Sequence, residues 1–219
     1  MEDGVTVSAL MTAPRYECVA ARNRIEKAMR DTGIPLTISG GVYYGQCMQR
    51  MLEDLVEKDV QYALTVDFDS IFIAKHVHRL LSMIVHTEAD AVAAVQPKRG
   101  HGTILASKGA ATSIEWTGEP IEVHSAHFGL TVLDLRKLAN VPKPWFFGQP
   151  QDDGTYGDKK IDDDVWFWNQ WRKAGNSVYI DPGCRLGHLE ELVTYYDQQM
   201  KLIHAYMPDW ETVCETTAD

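Results

Sequence analysis

This sequence is poor in cysteine. Its 219 residues include four, Cys18, Cys47, Cys184 and Cys214, and no two of them form a C-x-x-C pair. That spacing argues against a structural zinc site or a dithiol redox motif, and isolated thiols suit a reducing compartment, here expected to be the cytoplasm. Long apolar runs are also missing, so nothing has the length needed to span a bilayer. The opening "MEDGVTVSALMTAPRYE" begins acidic and turns into a strand, without the basic start and apolar stretch of a secretory leader. Positive charge is scarce: 21 Lys and Arg stand against 31 Asp and Glu, a formal net charge of −10. The resulting field opposes polyanions at long range and disfavours nonspecific nucleic-acid binding, which depends on Lys and Arg facing phosphates. The chain shows no internal repeat, low-complexity tract or linker, and residues 1–219 read as one domain.

What is present suits an α/β domain. Apolar residues make up 45% of the chain and charged ones 24%, enough to bury a core. The first half alternates. Strands are expected at "VTVSAL", "PLTIS", "YALTV" and "ADAVAAV", with helices at 19–30, 46–58 and 73–87. Met48, Met51, Leu52 and Leu55 form one helical stripe, and Val77, Leu80, Leu81 and Ile84 another. This β-α-β order predicts a doubly wound, mostly parallel sheet with ligands beyond the carboxyl ends of its strands. The second half has short strand-like pieces at "GTILAS", "TSIEWT" and "PIEVHSAHFGLTVLDL", a helix over 133–138 and a loop from 142 to 157. An aromatic helix "IDDDVWFWNQWRKAG", a strand "SVYID" and a terminal helix "YYDQQMKLIHAYM" complete it.

Three places carry chemistry. "YALTVDFDSI" ends a buried strand in Asp67 and Asp69. On extended chain both carboxylates face one side and Phe68 the other. Two such charges repel unless a divalent cation or a proton intervenes. The same pair also fits a strand-end turn with a helix cap, or an aspartyl-phosphatase D-x-D, although that motif follows a first strand and this one a third. Second, Asp162, Asp163 and Asp164 open a helix whose Phe167, Trp171 and Ala174 share one face. Capping and the macrodipole account for one or two of these acids; a rigidly held general base accounts for a third. Third, His188 follows the last strand, and a neutral imidazole suits a metal already held by carboxylates. His124 and His127 point to opposite sides of an extended segment.

These sites, in this order, resemble a family 2-type glycosyltransferase of GT-A fold, in its short stand-alone form. The resemblance lies in "ALTVDFDS", in "ADAVAAVQPKRG", in "HFGLTVLDLRKLANVPKPWF" and in "DDDVWFWNQWRKAGNSVYIDPGCRLGH", and it covers nearly the whole chain. It implies a Rossmann-like sheet with a small antiparallel part in its second half. Residues 1–97 would form the nucleotide-sugar half, 98–195 the acceptor and catalytic half, and 196–219 a C-terminal helix and tail. It implies Mn2+ or Mg2+ on Asp69, Asp67 and His188, with Asp67 also near the donor. Asp164 would be the base and Asp163 would take the family's glutamate position, a pairing that implies inversion. Ala13, Pro14, Arg15, Gln49, Arg50, Lys98 and Arg99 would border a nucleotide-diphosphate sugar, with UDP as the implied nucleotide. Trp145 and Phe146 would anchor their loop in the core. The acceptor stays open among glycan, small molecule, protein and a modified base in DNA. A nucleotidyltransferase would carry a glycine-rich, lysine-ended loop where "LMTAPRYE" stands, and a non-catalytic nucleotide-sugar binder would need no base.

Overall fold

The computed structural model describes residues 4–14, 16–100, 102–109, 114–196 and 199–206. The first half alternates as expected: β1 (Val7–Ala13), α1 (Val19–Thr32), β2 (Leu36–Gly40), α2 (Tyr44–Glu57), β3 (Tyr62–Asp67), a short β4 (Ser70–Ile71), α3 (Ala74–His86) and β5 (Ala91–Val95). The two apolar stripes explain how these helices sit, since Met48, Met51, Leu52 and Leu55 of α2 and Val77, Leu80, Leu81 and Ile84 of α3 are all buried. Helix α1 stops at Gly33, whose φ of 70° is left-handed and whose N–H returns to the Arg30 carbonyl.

The second half supplies β6 (Ala106–Ser107), β7 (Ile121–Glu122), β8 (Ser125–Ala126), β9 (Leu130–Asp134), a 3-10 helix (Leu135–Asn140), α4 (Asp163–Lys173), β10 (Tyr179–Arg185), β11 (Gly187–His188), β12 (Leu192–Tyr196) and β13 (Leu202–Tyr206). Among the described residues the main sheet has seven strands in the order β2-β1-β3-β9-β5-β10-β7. Strands β2, β1, β3, β5 and β10 run one way, while β9 lies antiparallel between β3 and β5.

Side chains alternate across this sheet. Ala9, Met11, Leu64 and Val66 face the core under α1 and α3; Leu10, Ala63 and Leu133 face the core under α2 and α4. Phe167, Trp168 and Trp171 of α4 are fully buried in the second core. Cutting any of them to alanine would cost about 3–5 kcal/mol. Trp145 and Phe146 are buried there too, as expected for loop anchors.

Four expectations need correction. Strand β9 runs on to Asp134, whose carboxylate caps the next turn by accepting the Arg136 N–H, so the helix foreseen over 133–138 is a 3-10 turn from Leu135. "GTILAS" is strand only at Ala106–Ser107. Residues 114–117 of "TSIEWT" form no strand, and 112–113 lie outside the described residues. The helix foreseen over 195–207 is instead the hairpin β12–β13, with Tyr196 opposite Leu202 and Leu192 opposite Tyr206. The β-branched and aromatic residues of "LVTYY" and "LIHAY" favour strands, and Met200 turns the chain at a φ of 58°. Residues 207–219 of the foreseen helix and tail lie outside the described residues.

Candidate functional site

The carboxyl ends of β1 and β3 open into a cleft of about 720 Å³. Asp67 is the last residue of β3, and Phe68 and Asp69 form a turn. The strict alternation expected on extended chain therefore stops at Asp67. Both carboxylates still reach the cleft, and half-buried Phe68 lines it as well.

Asp69 is held from the far end of the chain. Strand β11 pairs antiparallel with β4, setting His188 against Ser70, and the Leu189 N–H donates to the Asp69 carbonyl at 2.9 Å. Gly187 permits this approach, since a Cβ there would stand 3.2 Å from the Ile71 Cβ. His188 Nδ1 lies 2.9 Å from the Pro97 carbonyl and Nε2 lies 3.2 Å from Asp69 Oδ2. A carbonyl only accepts, so Nδ1 carries a proton. Nε2 then meets the carboxylate either as the second N–H of a histidinium or as a lone pair. The Asp69 hydrogen bond raises the His188 pKa, against burial. Arg99 Nη1 approaches the same Asp69 oxygen at 3.4 Å from an exposed position. Asp67 is pushed up to about 7, first by burial and then by the Asp69 charge, with His188 and Arg99 opposing.

The first turn of α4 lines the same cleft. The Asp163 carboxylate accepts the Asp164 N–H at 3.0 Å and lies against the Gly45 backbone of α2; burial raises its pKa, against the lowering effect of the neighbouring backbone N–H groups. Gly45 has no room for a side chain, because a Cβ would lie 2.6 Å from Asp163 Oδ2 and 2.7 Å from the Phe146 Cβ. Asp163 thus joins two helix N-termini. Asp164 accepts only its neighbour Val165 N–H, at 2.7 Å, among the described contacts. Burial, then the charges of Asp163 and Asp162, raise its pKa, as a general base at neutral pH requires. The helix behind is fixed by Trp168 Nε1, which donates to the Ala126 carbonyl at 2.5 Å, and by Trp168 stacking on Phe128 at 5.2 Å.

Asp67, Asp69, His188, Asp163, Asp164, Lys98 and Arg99 all line this one cleft. Other candidates sit elsewhere. Ala13 ends β1 and Pro14 is exposed beyond it, while Thr12 is the β1 residue that reaches the cleft. Arg15 lies outside the described residues. Gln49 and Arg50 border a separate cavity of about 410 Å³ beside Pro144. Gln49 is engaged there, accepting the Trp145 N–H at 3.1 Å and donating to Glu53 at 3.2 Å. Sequence reasoning missed Tyr44 and gave no role to His127, which also line the cleft. His127 Nδ1 accepts the Gly129 N–H and Nε2 donates to the Ala94 carbonyl, and burial lowers its pKa to about 4, so it stays neutral.

Among the described residues no group of three His, Cys, Asp and Glu stands close enough to hold a metal as arranged. The chemistry still fits one. Two carboxylates and an imidazole are suitable donors, the charges of Asp67 and Asp69 repel, and His188 Nε2 aims at Asp69 with its other nitrogen already committed.

No protein-family model and no curated protein matches this sequence. In structure the chain is similar to A197 from STIV, at a TM-score of 0.60 and 16% identity, over 90% of this chain and 93% of that one. It is also similar to a crystal structure of GalNAc-T7 with UDP, GalNAc and Mn2+, at a TM-score of 0.50 and 10% identity. That match covers 86% of this chain and 44% of GalNAc-T7. The fold is of the GT-A type. At these identities the likeness concerns the fold alone. No helix among the described residues is long and apolar enough to cross a membrane.

Proposed function

We propose that this protein is a divalent-metal-dependent glycosyltransferase that moves a sugar from a nucleotide diphosphate, with UDP as the first candidate, to an acceptor hydroxyl. The observation that carries this reading is one cleft at the strand ends lined by Asp67, Asp69, His188 and Asp164 together. GalNAc-T7, of similar fold, is described with UDP and Mn2+.

Asp69, Asp67 and His188 would hold the Mn2+ or Mg2+. The ion would supply charge neutralisation to the departing diphosphate. Lys98 and Arg99 add positive charge at the same edge of the cleft. In the same cleft, Asp164 takes the proton of the acceptor hydroxyl. The acceptor oxygen forms a bond to the anomeric carbon, and the bond from that carbon to the diphosphate oxygen breaks with its electron pair leaving on the diphosphate. A base on the face opposite the leaving group gives inversion.

The test is a screen of nucleotide sugars with Mn2+, reading free nucleotide diphosphate and transfer to added acceptors. Turnover of one donor, lost on Asp69→Ala, supports the reading. Failure of the folded protein to bind any nucleotide sugar overturns it.

A further inference from the structure

Tyr44 opens α2 and packs into the aromatic core. Its ring packs edge-on against Phe146, with centroids 6.0 Å apart, and at a tilt against Phe128, 6.4 Å away. The following residue is Gly45, locked against Asp163 and Phe146.

At the end of this ring the Tyr44 hydroxyl is buried and has no hydrogen-bond partner among the described residues. Native structures leave few buried polar atoms unpaired, and each such atom asks for a cause. Tyr44 lines the cleft, so a bound molecule can supply the missing partner once the ring shifts slightly to uncover its hydroxyl. Burial, with the charges of Asp67, Asp164 and Asp163, holds the phenol well above its ordinary pKa. It stays O–H, a donor in search of an oxygen.

Its neighbours say which oxygen. In the proposed reaction Asp67 serves the donor and Asp164 the acceptor, and Tyr44, which lines the same cleft, feels the charge of both. In the displacement proposed above, what lies between the leaving diphosphate and the acceptor is the sugar in transit. We infer that the Tyr44 hydroxyl donates a hydrogen bond to an oxygen of the transferred sugar and so helps select which nucleotide sugar is accepted. This rests on the glycosyltransferase reading. A site with a buried donor discriminates strongly against analogues that lack the matching acceptor.

The experiment compares the wild-type protein with Tyr44→Phe in Mn2+, by calorimetric titration. The probes are UDP-glucose, UDP-N-acetylgalactosamine and GDP-mannose, each beside its bare diphosphate. For the donor that binds, the variant should lose about 10-fold in affinity while the bare diphosphate binds as before. The melting temperature without ligand should stay level or rise, because the removed hydroxyl had no partner. A donor analogue deoxygenated at the contacted position should bind both proteins alike. An unchanged ratio of nucleotide-sugar to diphosphate affinity overturns the assignment of Tyr44 and leaves the glycosyltransferase reading standing. A lower melting temperature overturns it too, by showing that the hydroxyl is bonded within the protein. If the wild type binds no nucleotide sugar, the glycosyltransferase reading fails and the assignment goes with it.

Discussion

His188 Nε2 stands 3.2 Å from Asp69 Oδ2 while its Nδ1 is tied to the Pro97 carbonyl at 2.9 Å. The ring therefore has one nitrogen to offer, and it is aimed at a carboxylate. Without a cation a proton fills that interval. With a cation the lone pair becomes a ligand.

This arrangement sets a pH dependence for His188. Its folded pKa lies above the ordinary 6.5, chiefly through the Asp69 hydrogen bond. The stability this pair contributes is full below the unfolded value and is lost as pH rises through the folded one. An NMR titration should place the His188 midpoint above 6.5, and added Mg2+ should lower it. A midpoint at or below 6.5 in the metal-free protein would remove the basis for this prediction.

Asp67 predicts a stabilising substitution. Its folded pKa of about 7 lies above the ordinary 3.8, with burial as the first cause. Its contribution to stability is full below the unfolded value and is lost as pH rises towards 7. Asp67→Asn should therefore stabilise the metal-free protein by an amount near zero at the lowest pH and on the order of 4 kcal/mol above pH 7. The same change should weaken Mn2+ binding. Thermal unfolding at several pH values, with and without Mn2+, checks both; a destabilised variant at pH 8 would contradict the prediction.

Asp163 and Asp164 should separate cleanly. Asp164→Asn is expected to lower kcat by about 10²–10⁴-fold with donor affinity kept, as loss of a general base does. Asp163→Asn keeps an acceptor oxygen for the Asp164 N–H, and burial already disfavours its charge, so stability should change by less than about 1 kcal/mol, with a smaller loss of kcat. Equal kcat losses with equal stability would reject this division of labour.

Much of the frame was legible. The stripes of α2 and α3 and the apolar run Tyr62–Val66 are periodic signals, and the acids at 67 and 69 stand where such a run stops. Strand β9 was harder to place, because nothing in Leu130–Asp134 says that it inserts between β3 and β5; that choice is made by packing across the sheet. The hairpin at 192–206 stands where a helix is expected over 195–207: Tyr, Val and Ile favour strands, and the pairing that satisfies them is made only once the chain turns back at Met200. At the site, charged residues announced themselves and Tyr44 did not. Its significance is a buried oxygen without a partner, which exists only once Phe146, Phe128 and Asp163 have gathered around it.

The pairing of β4 with β11 also has a consequence for the order in which the chain comes together. Asp69 and His188 are 119 positions apart, and the ladder that joins them is two residues long on each side. Contacts so distant in sequence form late, after local structure has paid most of the entropy of closure. On a ribosome the sheet around β1 and β3 can assemble while His188 has yet to be made. The carboxylates at the end of β3 would thus be in place before the imidazole that meets Asp69 has been added to the chain.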